Sequence, residues 1–314
     1  DTSYFKDPKI NGQGSCEYRT KVSAGNPTEG WFQRDPVGYC SNNISLSCTK
    51  GSAASDCGGD FCVVGENIPC ETLPFYLADT SISRIKLFTI FGPQSILGTY
   101  GSGPGQFNLP KDVALDSNGN IYVADSGNNR IQKYDRSSGV WISYGRSDGN
   151  FGSAPGEFKN PHGVDVNAAG DIYVADTGNH RIQIRSAVSG IWSSYGNGPG
   201  ADDNQFNSPK GVAVDRFGRL FVADTGNHRV KEWWMGLSYG SENPSGGVEE
   251  FNSPSGIAVD STGNLYVADT GNHRIQKITS PMTAPVWSSY GTDGWGLNQF
   301  RSPVGVDVDS SGKI

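Results

Sequence analysis

Short apolar segments separated by polar turns run through most of the chain. Segments such as Val212–Asp215 alternate small and branched residues, and Leu265–Asp269 (LYVAD) and Arg274–Ile278 (RIQKI) follow as further short runs. The turn at 117–120 (SNGN) is typical of those between them, and its glycine supplies the positive φ of a tight hairpin. Tyr, Trp, Val, Ile and Thr are plentiful, which favours strands. The pattern therefore predicts short antiparallel strands rather than long helices.

These segments recur as a repeat of four strands. Copies begin at Pro110, Pro161, Pro209 and Pro254, which are 45 to 51 residues apart, and the first reads PKDVALDSNGNIYVADSGNNRIQKYD. A Trp-Ser-Ser-Tyr-Gly segment, as at 192–196 and 287–291, supplies the fourth strand. A repeat of this length with several short strands is typical of a β-propeller blade.

Three of the copies carry an Asn-His-Arg motif in the turn between the second and third strands, at 179–181, 227–229 and 272–274. Together with the strands around it, this motif resembles the NHL-repeat family, and the resemblance covers residues 73–314. It implies a β-propeller fold. It leaves the function open, because propellers serve many unrelated roles.

Incomplete repeats at the two ends of this region complement each other. Residues 75–87 (FYLADTSISRIKL) match a second and a third strand, whereas 303–314 match a first strand and its turn. Tyr-Gly pairs recur at five places: Tyr100, Tyr144, Tyr195, Tyr239 and Tyr290. The expected fold is therefore all-β, a five-bladed propeller over 73–314 whose last blade is formed by 303–314 together with 73–101.

That pairing of the two ends has two forms. Within one chain it closes the ring, which is the default because a chain's own end is present at a high effective concentration. Between chains, the C-terminal strand of one copy completes the blade of the next. This second form is a head-to-tail contact, which propagates into a filament.

The cysteines define a separate segment, predicted to be a small disulfide-stabilised domain over residues 1–72. All six lie between positions 16 and 70: Cys16, Cys40, Cys48, Cys57, Cys62 and Cys70. An even number in so short a segment favours three disulfides, whose pairing stays open, over a zinc site, which prefers CxxC pairs or nearby His. A glycosylation sequon at Asn43 fits an extracellular surface. We therefore expect a secreted protein.

An Asp closes the second strand of every repeat, and an Arg follows five residues later. The pairs are Asp79 and Arg84, Asp125 and Arg130, Asp176 and Arg181, Asp224 and Arg229, and Asp269 and Arg274. Equivalent carboxylates invite a metal hypothesis, but an Asp before a Gly turn can accept backbone N–H groups and pair with the Arg across the hairpin. A structural role is the favoured interpretation, and the same holds for His180, His228 and His273, which lie on separate blades.

Four Asp residues near the ends of the first strands are weak metal candidates: Asp116, Asp215, Asp260 and Asp309. Innermost strands line the channel of a propeller, so these oxygen ligands would suit a cation such as calcium. An Asp in front of Ser-Asn-Gly and similar runs also caps a turn, which is the preferred interpretation. No other cofactor is expected.

Binding candidates occur where the chain departs from the repeat. His162 is the one His outside the repeated position, and it is expected near the channel mouth. Trp233, Trp234 and Trp295 also break the pattern, and they are either partner or sugar contacts or blade-to-blade packing. The long connection at 145–160 fits the rule that variable loops on a rigid scaffold carry binding.

Charge and motifs narrow the function classes. The net charge of −7, without a cluster of Lys and Arg, argues against nucleic acid, and no apolar run is long enough to span a membrane. No nucleophile elbow is expected, because the Gly-x-Ser-x-Gly matches at 145–149 and 236–240 lie in fourth strands and connections and not at a strand-to-helix turn. A phosphate-binding Gly loop followed by Lys is missing. Some NHL propellers are peptidyl-hydroxyglycine lyases, and the resemblance implies a metal and several central His for these. Here three of the four His lie in the repeat motif.

The favoured interpretation is a secreted, non-enzymatic interaction or structural module that binds protein or glycan through propeller loops. One alternative is an extracellular filament protomer, whose partners are other copies of itself. Another alternative is a secreted lyase or hydrolase with a metal in the channel.

Overall fold

The computed structural model describes residues 2–4, 21–23, 37–38, 62–63, 75–89, 92–196, 198–241, 246–279, 281, 283–309 and 314. Before residue 75 these comprise β1 (Thr2–Tyr4) paired with β2 (Lys21–Ser23), and β3 (Val37–Gly38) paired with β4 (Cys62–Val63). The six cysteine side chains and Asn43 lie outside the described part of the chain. The disulfides and the glycosylation site therefore stay predictions.

The chain divides into two compact units, residues 1–76 with 86–96, and residues 77–85 with 97–314. The predicted boundary between 72 and 73 stays a prediction. A three-stranded sheet follows the N-terminal strands and consists of β5 (Phe75–Asp79), β6 (Arg84–Thr89) and β7 (Gly92–Leu97).

Four antiparallel four-stranded sheets follow, with strands in sequence order. Blade I is β10 (Pro110–Leu115), β11 (Ile121–Asp125), β12 (Arg130–Asp135) and β13 (Val140–Gly145); blade II is β14 (Val164–Val166), β15 (Ile172–Asp176), β16 (Arg181–Arg185) and β17 (Trp192–Tyr195); blade III is β18 (Gly211–Val214), β19 (Leu220–Asp224), β20 (Arg229–Glu232) and β21 (Leu237–Gly240); blade IV is β22 (Ile257–Val259), β23 (Leu265–Asp269), β24 (Arg274–Thr279) and β25 (Val286–Tyr290). Counted together with the three-stranded sheet β5–β7, these four sheets confirm the expected all-β, five-bladed propeller.

Smaller elements occupy the connections and turns. The connections contain two parallel pairs, β8 (Thr99–Tyr100) with β9 (Gln106–Phe107) and β26 (Thr292–Asp293) with β27 (Gln299–Phe300). Single-turn 3-10 helices follow the second strand of each blade, at Ser126–Asn128, Thr177–Asn179, Thr225–Asn227 and Thr270–Asn272. Across the described part of the chain, no helix is long and apolar enough to cross a lipid bilayer.

The register of the strands defines two ends of each blade. In blade I Pro110 pairs with Asp125, so β10 begins at the end where β11 stops and the 3-10 turn follows. The long connections between blades lie at this same end, which we call the connection face. The turns between first and second strands and between third and fourth strands lie at the opposite end, which we call the turn face.

The core lies between neighbouring blades. Every residue of β11, β15, β19 and β23 is buried. Between blades I and II, Ile131 packs in one cluster with Phe158, Val164 and Val174. Burying one such side chain contributes roughly 2 kcal/mol. Each blade therefore gains much of its stability from the next one, as in other repeat architectures.

Residues 303–309 follow blade IV and, although described, are not part of a strand. They lie against blade IV, where the carbonyls of Pro303 and Val304 accept hydrogen bonds from Thr270 Oγ1 (2.7 Å) and Ser255 Oγ (2.8 Å). The same contact joins Thr177 Oγ1 to the carbonyl of Pro209 at 2.6 Å between blades II and III. The segment therefore occupies the place of the next inner strand. Its pairing with 73–101 stays a prediction.

Candidate functional site

The repeated Asp residues anchor the connections between blades. In blade II, Asp176 Oδ2 accepts hydrogen bonds from Asn179 Nδ2 (2.9 Å), Arg181 Nε (2.7 Å) and Gln183 Nε2 (3.0 Å). The other oxygen accepts the backbone N–H of Lys159 at 2.8 Å. Asp125, Asp224 and Asp269 make the same ion pair with Arg130, Arg229 and Arg274 at 2.7 to 2.8 Å. These carboxylates are fully occupied by the fold.

The Arg side chains continue from this network into the connection itself. Arg181 donates from Nη1 to the carbonyl of Ser153 at 2.6 Å and from Nη2 to the carbonyl of Glu157 at 2.8 Å. The N-terminal repeat differs, because Asp79 Oδ1 accepts from Ser81 Oγ and Ile82 N. There the Nε of Arg84 is buried and has no hydrogen-bond partner among the described residues.

The repeated His residues clamp one blade to the next. Nδ1 of His180, His228 and His273 accepts the backbone N–H of Ser208, Ser253 and Ser302, each at 3.0 Å. Those serines have φ near +50°, an uncommon conformation for a residue with a side chain. In blade I, Asn129 Oδ1 takes the same role toward the N–H of Asn160. The His therefore act as acceptors in the scaffold.

Three of the four sequence-based metal candidates, Asp116, Asp215 and Asp260, are occupied by their own turns. Asp116 Oδ1 accepts the N–H groups of Asn118 and Asn120, and its Oδ2 accepts from Tyr122 OH. Asp260 and Asp215 cap their turns in the same way, and Asp215 also pairs with Arg219 at 2.5 Å. Asp309 is exposed. Within the described ranges, no three His, Cys, Asp or Glu side chains are grouped so that they could hold a metal ion.

Three other carboxylates face the channel, and the sequence analysis did not select them. Asp112 Oδ2 accepts the N–H of Val164 on the next inner strand at 3.0 Å, and Asp165 Oδ2 accepts the N–H of Val214 at 2.7 Å. The pKa of both carboxyls is raised to about 7, mainly by burial and in smaller part by the charge of Asp307. The three groups therefore lie within electrostatic reach of one another.

A basic group lies at the mouth of the channel on the connection face. Lys111, His162 and Lys210 precede or begin three adjacent inner strands, and no hydrogen bond or ion pair joins their side chains to any described residue. Burial lowers the pKa of His162 to about 3, and the charges of Lys210 and Lys111 lower it further. Burial, followed by the charge of Lys111, also lowers the pKa of Lys210. The His is therefore a neutral side chain beside two ammonium groups.

The other blades show that the fold does not need these charges. Asp112 stands where the other repeats have glycine, at Gly163, Gly211, Gly256 and Gly305. Asp165 stands where blades I, III and IV have alanine. At the position of the two lysines, blade IV has Ser255 and the following segment has Val304. Groups that raise the energy of the folded state without a structural need are typical of functional sites.

Exposed apolar side chains also lie on the connection face. Tyr100, Phe151, Trp295 and Leu297 are 72%, 63%, 73% and 74% exposed. They belong to the connections before blade I, between blades I and II, and after blade IV. The connection that carries Phe151 also borders a cavity of about 380 Å³ near Arg146 and Asp148.

The remaining Trp candidates lie elsewhere. Trp233 packs on the buried Phe206 with ring centroids 4.9 Å apart, and it takes the place that Trp192 occupies against Phe158 in blade II. Trp234 is half exposed, and its Nε1 donates to the carbonyl of Gly218 in a turn of the turn face. Of the three, Trp295 alone lies on the connection face.

Comparison with known proteins agrees with this architecture. Residues 107–134, 158–184, 206–233 and 251–278 match the NHL repeat, each match running from the buried Phe of a connection to the third strand of a blade. The chain therefore carries an NHL-repeat β-propeller.

Among individual proteins, it is similar to human NHL repeat-containing protein 3, with 32% identity over 117 residues that cover 34% of this chain and 33% of the human protein. The chain thus matches about a third of the length of this relative and of its mouse counterpart, which is 33% identical over 110 residues.

Solved propellers resemble the fold at low sequence identity. A nidogen/laminin complex contains a chain with a TM-score of 0.54 and 17% identity, matched over 76% of this chain and 81% of that chain. A streptogramin B lyase structure has a TM-score of 0.51 and 14% identity over 76% of this chain and 70% of that one. At such identity the likeness establishes the shared propeller fold alone.

Proposed function

We propose that this propeller is a non-enzymatic module that binds another protein through its connection face, in an extracellular setting. The observation that carries the proposal is the set of exposed apolar side chains, Tyr100, Phe151, Trp295 and Leu297, on three connections of that face. Exposed apolar groups of this size on a folded domain commonly mark interaction sites, and Trp and Tyr are frequent hot spots.

The rigidity of the connections supports this role. Arg181 fixes the connection that bears Phe151 through Ser153 and Glu157, and Ser302 near Trp295 is held by His273. A site that is ordered before binding loses less conformational entropy when the partner arrives. The extracellular setting rests on the six clustered cysteines and the sequon at Asn43.

Glycan binding, a filament and a channel-metal lyase remain alternatives. Trp295 offers a flat ring that could stack on a sugar as well as on a peptide. A protein partner is preferred because NHL propellers are most often protein-binding. The nidogen/laminin complex and the streptogramin B lyase show that this fold serves both association and catalysis in other proteins.

Selection of displayed peptides on the immobilised chain, followed by fluorescence anisotropy with one selected peptide, tests the proposal. Trp295→Ser is expected to weaken binding by about tenfold or more. The matched control is Trp234→Ser, which removes a half-exposed Trp from the turn face and should change affinity less than about twofold. Peptides that depend on Trp234 and not on Trp295, or no enriched peptide at all, would contradict the proposal.

A further inference from the structure

The basic channel mouth adds to the proposed function, because its cations can bind an anionic group of the partner, which the exposed apolar side chains cannot do. The inference below rests on that proposed function. Lys111, His162 and Lys210 come from adjacent inner strands. The backbones of two of these strands are adjacent, because a Cβ added at Gly163 would contact the carbonyl oxygen of Lys210. The charges of both lysines act on the imidazole of His162, so the three side chains lie within electrostatic reach of one another.

These three side chains lack an anionic partner in the part of the chain that the structure describes. Lys111 is exposed, whereas His162 and Lys210 are half-buried in the channel wall. Cations held beside one another raise the energy of the free protein, and an anion placed among them would relieve that repulsion. We infer that the channel mouth is a subsite for a carboxylate of the bound protein, held by Lys111 and Lys210 with His162 beside it.

The charges around the opening favour an isolated carboxylate over a polyanion. Asp112 and Asp165 lie further along their inner strands than Lys111 and His162, the charge of the exposed Asp307 reaches both, and the chain as a whole carries a net charge of −7. A nucleic-acid strand would bring a phosphate charge at every nucleotide against this field, whereas nucleic-acid binders normally present a basic face. A single carboxylate can contact the two lysines at the rim of the opening without approaching the aspartates.

The direction in which affinity changes follows from this geometry. A charged hydrogen bond from ammonium to carboxylate is stronger than a neutral one, so loss of one lysine should weaken binding by roughly ten-fold or more in a site shielded from water and by about five-fold in a site open to water. Added salt should weaken binding as well, because the opening is open to water.

Fluorescence anisotropy with a labelled Gly/Ser peptide that contains one Glu tests the inference on the full chain. Lys111→Ser and Lys210→Ser introduce the residue that blade IV itself carries at Ser255, so the variants keep the fold. Each is expected to weaken binding by about five-fold or more. The control is Arg216→Ser, which removes one exposed positive charge from the turn face and should leave affinity within about twofold.

Two further measurements distinguish a side-chain carboxylate from a terminal carboxylate, and a peptide ligand from a nucleic acid. The single-Glu peptide with an amidated C-terminus should bind equally if the side-chain carboxylate is recognised, and much more weakly if the terminal carboxylate is recognised. Either result supports the inference. Absence of binding, an equal loss with Arg216→Ser, or hexauridylate bound as tightly through the same lysines would overturn it.

The failure of this subsite is separable from failure of the proposed function. If selected peptides depend on Trp295 but the single-Glu peptide does not bind, only the subsite is wrong. If the single-Glu peptide binds through the two lysines but no selected peptide depends on Trp295, the connection face loses its apolar role and the subsite stands.

Discussion

Single acceptor atoms hold the connections in an unusual backbone conformation. Ser208, Ser253 and Ser302 adopt a φ near +50°, and each donates its N–H to the Nδ1 of a His on the preceding blade. This bond requires a neutral imidazole whose proton is on Nε2. The repeated His is therefore a structural acceptor rather than a ligand.

Replacement of His228 tests that role. His228→Ala should lower the free energy of unfolding by about 1–2 kcal/mol, because the N–H of Ser253 loses its acceptor. His228→Asn should retain most of the stability, since Asn129 accepts the same bond at 3.0 Å in blade I. Urea unfolding distinguishes the two, and equal losses in both variants would show that the acceptor atom is not what matters.

The channel carboxylates should give the molecule an uncommon dependence on pH. The pKa of Asp112 rises from 3.8 to about 7 on folding, mainly through burial. Between these values the folded protein holds a proton that the unfolded chain has lost, so this group's contribution to stability falls as pH rises toward 7.

We therefore expect Asp112→Asn to stabilise the protein by about 2–4 kcal/mol at about pH 8 and to bring little change near about pH 3. The comparison variant is Asp135→Asn, whose exposed carboxyl has a pKa lowered to about 2 by the hydroxyl of Ser137, so it stays charged throughout this range. Urea unfolding at several pH values measures both. A pH-independent difference between wild type and Asp112→Asn would contradict the assignment.

In each of blades I to IV, the Asp–Arg ion pair links the second and third strands to the connection that precedes the blade. Asp176 is fully buried and Arg181 is about one-tenth exposed, and together they tie β15 and β16 to the connection before blade II. Because the network reaches three successive parts of the chain, it sets the position of each connection and thereby the shape of the connection face.

Arg181→Met should lower the free energy of unfolding by about 3–5 kcal/mol, because Asp176 is left buried without its counter-charge. Arg146→Met provides the contrast, since that Arg and its partner Asp148 are each about two-fifths exposed, and its loss should stay below about 1 kcal/mol. Hydrogen exchange should locate the loosening at residues 152–158 in the first variant. Similar losses for both arginines would refute the anchoring role.

Two adjacent tryptophans offer a further comparison within one blade. Trp233→Ala should cost about 3 kcal/mol because it opens a space against Phe206, whereas Trp234→Ala should cost less than about 1 kcal/mol at a half-exposed position. Thermal unfolding is sufficient to rank them. A reversed ranking would mean that the blade-to-blade packing of Trp233 contributes little.

The periodicity of the chain was sufficient to predict the four strands of blades I to IV, because turns and alternating apolar residues are local signals. It did not predict that Gln183 belongs to the Asp176 network, or that Trp233 replaces the Trp of a fourth strand, since both depend on contacts between distant residues. Asp112 was recognisable only as a departure from the glycine of other repeats. Residues 303–309 match a first strand in sequence but are not part of a strand, because a strand also needs a hydrogen-bonded neighbour.

At the scale of the whole molecule, the two ends of the propeller differ in chemistry. The turn face presents capped turns such as the one held by Asp116, whose carboxylate is occupied by its own backbone. The connection face presents the basic channel mouth and the exposed Trp295. The turn face exposes apolar side chains as well, among them Val188, Ile191 and Phe217. Binding is assigned to the connection face because exposed aromatic side chains and the basic channel mouth occur there together.

Hydrogen exchange on the chain with and without a selected peptide tests that assignment most directly. Bound peptide is expected to protect the connections at 146–160 and 291–302 and the starts of β10 and β18. Protection of the turns at 116–120 and 215–219 instead, with the connections unchanged, would contradict the account and move the binding surface to the turn face.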